Sequence, residues 1–231
     1  MMRILDALLP PRCPLCQARA GHGFCADCRP LLPWILAACE VCGVALPEAA
    51  AAGSGVCGAC QKRRPYYDHA LIPFKYGAPV AGQIQALKYH AQLRYAAALG
   101  AMICARAWKD PRPPPQALVP VPLHRRRLRQ RGFNQSLEIA RRVGAELGLE
   151  VRHKLLARIR HTAPQTALSR TERRRNVRGA FRAPPAAALP AHVALIDDVV
   201  TSGSTANAAA RELKRAGVRT VSIWAAARAG G

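Results

Sequence analysis

The chain has 231 residues, half of them apolar, which is enough for a packed core and excludes wholesale disorder. Its 35 Lys and Arg against 13 Asp and Glu give a formal charge of +22, a field that needs an anionic partner such as a phosphorylated small molecule or a nucleic-acid backbone. Every apolar run is too short to span a membrane, and the opening "MMRILDALLPPRC" lacks the apolar region and cleavage site of a secretory leader, so a cytoplasmic protein with no membrane insertion is expected.

Residues 1–65 are expected to form a small metal-folded module. They hold four C-x-x-C pairs: Cys13/Cys16, Cys25/Cys28, Cys39/Cys42 and Cys57/Cys60. One such pair chelates an ion from a tight turn, and two pairs complete a closed Cys₄ shell for Zn²⁺. Eight thiols therefore fill two structural sites and leave no open catalytic position. Sequential pairing, first with second and third with fourth, suits the short "QARAGHGF" interval, and interleaved pairing stays open. His22 reads as a solvated turn residue and Cys104 as a buried hydrophobe. Each structural zinc would contribute about 10–16 kcal/mol to folding. Seven Lys/Arg against four Asp/Glu give this module a net of +3. Eight thiolates and two Zn²⁺ bring that to about −1, so the basic field belongs to residues 66–231.

That second domain starts with β-prone sequence around "YYDHALIPFKY". Ile84, Leu87, Leu99 and Ile103 then follow a helical pattern. "KDPRPPPQ" breaks the chain before "ALVPVPL", which reads as an interior parallel strand. A basic loop, "HRRRLRQRGFNQ" (124–135), leads into an amphipathic helix with Leu137, Ala140, Val143 and Leu147 on one face. Residues 124–182 carry 17 basic and four acidic residues, a net of +13. Within them, 158–181 have no clean periodicity and read as a mobile lid or excursion over a site.

The last third reads as strand, loop, helix and strand. "HVALI" is a buried strand, "STANAAARELKRAG" a helix stopped by Gly217, and "VRTVSIWAAA" the next strand. At the first strand's end stand two adjacent carboxylates, Asp197 and Asp198, and then Thr201, Ser202, Gly203, Ser204 and Thr205. Small residues at a helix start can wrap a phosphate, and the helix dipole adds about 0.3–1 kcal/mol. Two carboxylates ahead of such a turn can accept hydrogen bonds from a vicinal diol. Diol and terminal phosphate together describe a ribose 5-phosphate. The G-x-x-x-x-G-K-[ST] phosphate loop is absent, which excludes an ordinary NTPase core.

"VALIDDVVTSGST" resembles the 5-phosphoribosyl 1-pyrophosphate (PRPP) binding motif of type I phosphoribosyltransferases. With the four C-x-x-C pairs, "KYH" near Lys88, "VPVPLHRRRLRQRGFNQS" and "RIRHTAPQTALSRTERRRNVRGAF", nearly the full length is similar to the ComF/GntX family of double-zinc-ribbon phosphoribosyltransferase-like proteins. The resemblance implies an α/β fold of the type I phosphoribosyltransferase kind, a mainly parallel sheet flanked by helices, over 66–231 behind a double zinc ribbon in 1–65. It implies Asp197 and Asp198 on the ribose hydroxyls, Thr201 to Thr205 on the 5-phosphate, and His124, Arg125 and Arg126 near the pyrophosphate. Mg²⁺ would enter with PRPP, and the 158–181 segment would close over the site. Relatives that salvage 6-oxopurines often carry an acid at the first phosphate-loop position. Thr201 stands there in this chain, which weakens a hypoxanthine or guanine acceptor.

Three functions use these features: phosphoribosyl transfer to an acceptor the sequence does not name, handling of single-stranded DNA beside other DNA-uptake proteins, and PRPP sensing without turnover. Few aromatics and no reading motif speak against sequence-specific nucleic-acid binding. Oligomeric state has no signature in the sequence.

Overall fold

The computed structural model describes residues 12–21, 23–48, 50, 53–162, 172, 175–183 and 189–230. His22 lies outside the described residues, as do 163–171, 173 and 174 within the 158–181 segment.

The first C-x-x-C turns of the two N-terminal ribbons repeat one another at an offset of 26 residues. In the first, the Cys13 amide donates to Ala18 O and the Gln17 amide to Cys13 O. In the second, the Cys39 amide donates to Val44 O and the Gly43 amide to Cys39 O. Isolated bridges close each turn, Arg12 to Arg19 and Ala38 to Ala45. Gln17 and Gly43 both take left-handed backbone at φ 64° and 68°, the conformation that turns the chain back toward the second thiol of each pair. The repeat was legible in "RCPLCQAR" and "ACEVCGVA". Neither ribbon keeps a core to itself. Phe24, Cys28 and Leu32 pack with helices later in the chain, whereas Ile35, Val41 and Cys60 pack with Tyr67 and Ile72.

After the short helix α1 (Gly58–Lys62), the chain enters a parallel sheet through β1 (His69–Leu71) and β2 (Phe74–Lys75), both paired to the last strand. Helices α2 (Val80–His90) and α3 (Arg94–Ala107) follow, separated at Ala91, which is left-handed at φ 52°. The four residues assigned a helical pattern are buried on these two helices. Strand β3 (Ala117–Pro120) is interior and parallel as expected, between β4 (Glu150–Val151) and β7 (His192–Val200). Strand β8 (Thr220–Arg228) completes the path β1–β8–β7–β3–β4, with every pairing parallel. Both faces of β7 and β8 are covered, so each holds an unbroken apolar stretch, 193–196 and 223–227, rather than an alternation. Helices α2, α3 and α5 (Gln135–Leu147) pack on one face, and α6 (Ser204–Arg215) packs on the other with the antiparallel pair β5 (Ala157–Arg158) and β6 (Phe181–Arg182). No helix among the described residues is long and apolar enough to cross a membrane.

Three boundaries differ from expectation. The basic stretch after β3 is not a plain loop, because Arg125–Arg131 form helix α4. Arg and Leu are good helix formers, the His124 ring accepts the Arg126 amide at 3.3 Å, and left-handed Gly132 ends the turn. On α5 the buried face centres on Ile139, Ala140 and Val143, while Leu137 and Leu147 are half-buried at its margins. Strand β7 does not stop at Ile196 but runs through both aspartates to Val200, because β8 supplies backbone partners to its end.

Candidate functional site

A strand that contains adjacent carboxylates should send them to opposite faces of its sheet. Here the alternation slips. Ala194 and Ile196 belong to the core under α2, α3 and α5, and Val193 and Leu195 to the core under α6. Beyond the pair the order reverses, with Val199 in the first core and Val200 in the second. The β7–β8 ladder pairs Asp197 with Ala225 and Val199 with Ala227, skipping Asp198. The slip brings both carboxylates to groups on one helical layer.

Asp198, 3% exposed, forms an ion pair with Lys88 Nζ at the end of α2. Asp197 Oδ1 accepts the Ser136 hydroxyl at 3.1 Å and the Asp198 amide at 2.9 Å. Burial and the neighbouring Asp198 charge push the Asp197 carboxyl up to about 8, against the opposing pull of Lys88 and the Asp198 amide. Burial alone would weaken the Lys88 ammonium's hold on its proton, but the two carboxylates outweigh it and raise its pKa. One lysine, one hydroxyl and one proton thus offset two charges that sequence alone left uncompensated. Ser136 and the role of Lys88 went unread in the sequence, although "KYH" marked the lysine.

The loop after β7 is Thr201–Gly203, and it opens directly into α6. Gly203 has φ 74°, and a side chain there would meet the Tyr67 hydroxyl at 3.2 Å. As N-cap, glycine offers the helix no side-chain acceptor, so the positive end of a twelve-residue helix faces the loop. Asp197, Thr201, Gly203, Ser204 and Thr205 line one small cleft with Val199, Val200 and Ala206. Ser202 pairs with the hydroxyl of Ser204, a residue of that cleft, at 2.8 Å. The Asp197 carboxylate at one end and amide and hydroxyl donors at the other suit a ligand carrying both a hydroxyl and a dianion.

Arg228, at the end of β8, holds this loop to the second ribbon. Its Nε donates to Cys42 O at 3.0 Å, and its Nη1 donates to Val200 O at 3.1 Å and to Thr201 O. Of the remaining sequence-predicted residues, Arg125 and Arg126 are exposed in the first turn of α4, and the His124 ring stands edge-on to His161 at 5.2 Å. Burial, His161 and the surrounding arginines lower the His124 pKa. Among the described residues, no hydrogen bond or ion pair joins His124, Arg125 or Arg126 to the acidic pair. Burial and the Arg127 charge lower the pKa of both Arg131 and Arg158, opposed in part by Asp198 at the first and Asp197 at the second. The strands β5 and β6 pin the ends of the 158–181 excursion, part of whose interior lies outside the described residues.

The eight thiols form two clusters, Cys13, Cys16, Cys25 and Cys28 in one and Cys39, Cys42, Cys57 and Cys60 in the other, which is the sequential pairing. Within each, the sulfur atoms lie within 4.8 Å of one another. Sulfur separations of 3.6 Å (Cys16 to Cys25) and 3.7 Å (Cys42 to Cys57) match the edge of a tetrahedron with Zn–S bonds of about 2.3 Å. Burial pushes the Cys13 thiol up, but backbone amides of Cys16, Cys25 and Leu15 outweigh it and hold it at about 6, in favour of the thiolate a metal requires. The geometry is that of two structural zinc sites.

Fold and clusters together define a double zinc ribbon carried on a helix-flanked, mainly parallel sheet. The double zinc ribbon domain family matches residues 4–67. The chain is 34% identical to DNA utilization protein YhgH of Salmonella typhi over 94% of its length and 96% of the relative's. It is 31% identical to Competence protein F of Haemophilus influenzae over 94% and 97%, and 32% identical to YhgH of Escherichia coli K12 over 94% and 96%. The chain belongs to the ComF/GntX family.

Proposed function

We propose that residues 66–231 bind PRPP and transfer its phosphoribosyl group to a nitrogen acceptor, with residues 1–65 as a metal-folded scaffold. The observation that carries this reading is the cleft Asp197 shares with Thr201, Gly203, Ser204 and Thr205, beyond the carboxyl ends of the central strands. Ribose hydroxyls would donate to Asp197 and Asp198, and the 5-phosphate would accept from the loop and the α6 amides. In the transfer, the acceptor's nitrogen lone pair forms the bond to C1′ as the C1′–O bond breaks. Pyrophosphate departs with that electron pair, and the acceptor's N–H proton passes to solvent. Mg²⁺ arriving with PRPP would supply Lewis-acid stabilisation to the leaving group. This chain's part is electrostatic: Arg125, Arg126 and His124 stand on the basic side, and the carboxylates orient the ribose. Lys88 must yield Asp198, or share it, when the diol arrives.

A second reading, single-stranded DNA handling in uptake, draws on relatives named for competence and DNA utilization. It also draws on the five arginines of α4, none of which forms an ion pair with a carboxylate among the described residues. If phosphate contacts dominate, the affinity for an oligothymidylate falls steeply with salt; salt-independent binding, or none, removes this reading. Thermal melting tests the first. PRPP with MgCl₂ should raise the melting temperature and Mg²⁺ alone should not, while no shift with either refutes it.

A further inference from the structure

Beside the acidic pair lies a second cleft, lined by residues other than those assigned above to the ribose hydroxyls and the phosphates. Lys88, Tyr89 and Ala91 from the end of α2 enclose about 290 Å³ with Arg127, Gln130 and Arg131 of α4 and Phe133. That is the small end of the range for ligand pockets, about 300–1,000 Å³, and suits a single small ring system. Lys88 lines this cleft while its ammonium pairs with Asp198, so the cleft opens next to the site described above.

Its chemistry is lopsided. Arg127 and Arg131 are half-buried and, among the described residues, neither is in an ion pair with a carboxylate. Arg131 lies over the Tyr89 ring at 5.5 Å and donates to Gln135 Oε1 at 2.6 Å, which fixes its guanidinium without neutralising it. Burial and the Arg127 charge loosen the proton on Arg131, the mark of two cations held together at a cost. Tyr89, 63% exposed, and Phe133 offer ring faces, and Gln130 an amide that can both donate and accept at a ring edge. Ala91 keeps left-handed backbone under the cleft, strain of about 1–2 kcal/mol for a residue other than glycine.

We infer that this cleft is the acceptor subsite, and that it takes a planar heteroaromatic ring bearing an anionic group, carboxylate or phosphate. The inference rests on the phosphoribosyl-transfer reading and names the acceptor class that reading leaves blank. The ring stacks on Tyr89 and Phe133, its anion sits between Arg127 and Arg131, and the ring's edge turns toward the acidic pair.

The test is calorimetry on the full-length, zinc-loaded protein with charged and neutral ring pairs, orotate against uracil and nicotinate against nicotinamide, with thymidine monophosphate as the phosphate-bearing probe. Each is titrated without PRPP. At least one charged probe should bind about tenfold or more tighter than the neutral rings, the worth of one charge-assisted hydrogen bond. Arg127→Gln should erase that preference. Tyr89→Ala should weaken charged and neutral rings alike, and Tyr89→Phe should restore binding. Zinc content and melting temperature report that each variant is folded. Equal affinity for charged and neutral rings, a preference that survives Arg127→Gln, or rings that bind only within an oligothymidylate would overturn the subsite. A ring preference in a protein that fails to bind PRPP would remove the transfer reading and the acceptor role with it, leaving a binding site for an anionic ring.

Discussion

Replacing Lys88 by Met removes the only cation paired with Asp198 among the described residues while keeping the length of the alkyl stem. The Asp198 side chain is 4% exposed and the Lys88 side chain 23%. An exposed ion pair is worth at most about 1 kcal/mol, and stripping one partner from a fully buried pair costs about 3–5 kcal/mol. The intermediate burial places Lys88→Met at about 2–3 kcal/mol at pH 8. In a chain of this size each kcal/mol moves the melting temperature by about 2–4 °C, so a drop of about 4–12 °C is expected. At pH 5 Asp197 holds its proton, so the pair carries less negative charge for the lost ammonium to offset, and the drop should be smaller. Thermal melts of wild type, Lys88→Met and Lys88→Met/Asp198→Asn at both pH values measure this, and the double variant should recover most of the loss at pH 8. A loss equal at both pH values would mean that Lys88 contributes packing rather than charge. No loss at pH 8 would refute the ion pair altogether.

Three other outcomes follow from the same geometry. Asp197, held at about 8 against an ordinary value near 3.8, keeps a proton in the folded chain that the unfolded chain releases, so its contribution to stability falls as pH rises from about 4 to about 8. Denaturant titrations across that window should show the decline in wild type and a flatter line in Asp197→Asn. Cys60→Ser should lower zinc content from two ions per chain to one and unfold the second ribbon, because a structural zinc contributes about 10–16 kcal/mol, more than most domains have to spare; two ions retained would contradict the Cys₄ assignment. Arg228→Met removes donors to the Val200 and Thr201 carbonyl oxygens and should weaken Mg²⁺-PRPP binding about tenfold or more with both zinc ions retained.

The parts of this molecule legible in the sequence are those set by local chemistry. Thiol spacing reports metal geometry directly, and the run "HVALI", the helix from Ser204 and the strand "TVSIWAAA" follow from apolar patterning and a glycine stop. What escaped depends on partners far along the chain. Strand β7 continues through two aspartates because β8 supplies its ladder and Lys88, more than a hundred residues away, supplies a charge. Ser136 on Asp197 and Arg228 on the loop after β7 are long-range contacts of the same sort, without a local signature. Helix α4 was hidden by its composition: five arginines in seven residues look like a basic loop until the His124 cap and the Gly132 stop are set against them.

The cleft at the end of β7 is the centre of this account, and calorimetric titration of PRPP in MgCl₂ into the zinc-loaded protein tests it most directly. The account predicts one binding site per chain in the wild type and none in a folded, zinc-replete Asp197→Asn/Asp198→Asn variant. Absence of binding to the wild type, or undiminished binding to the variant, would contradict it.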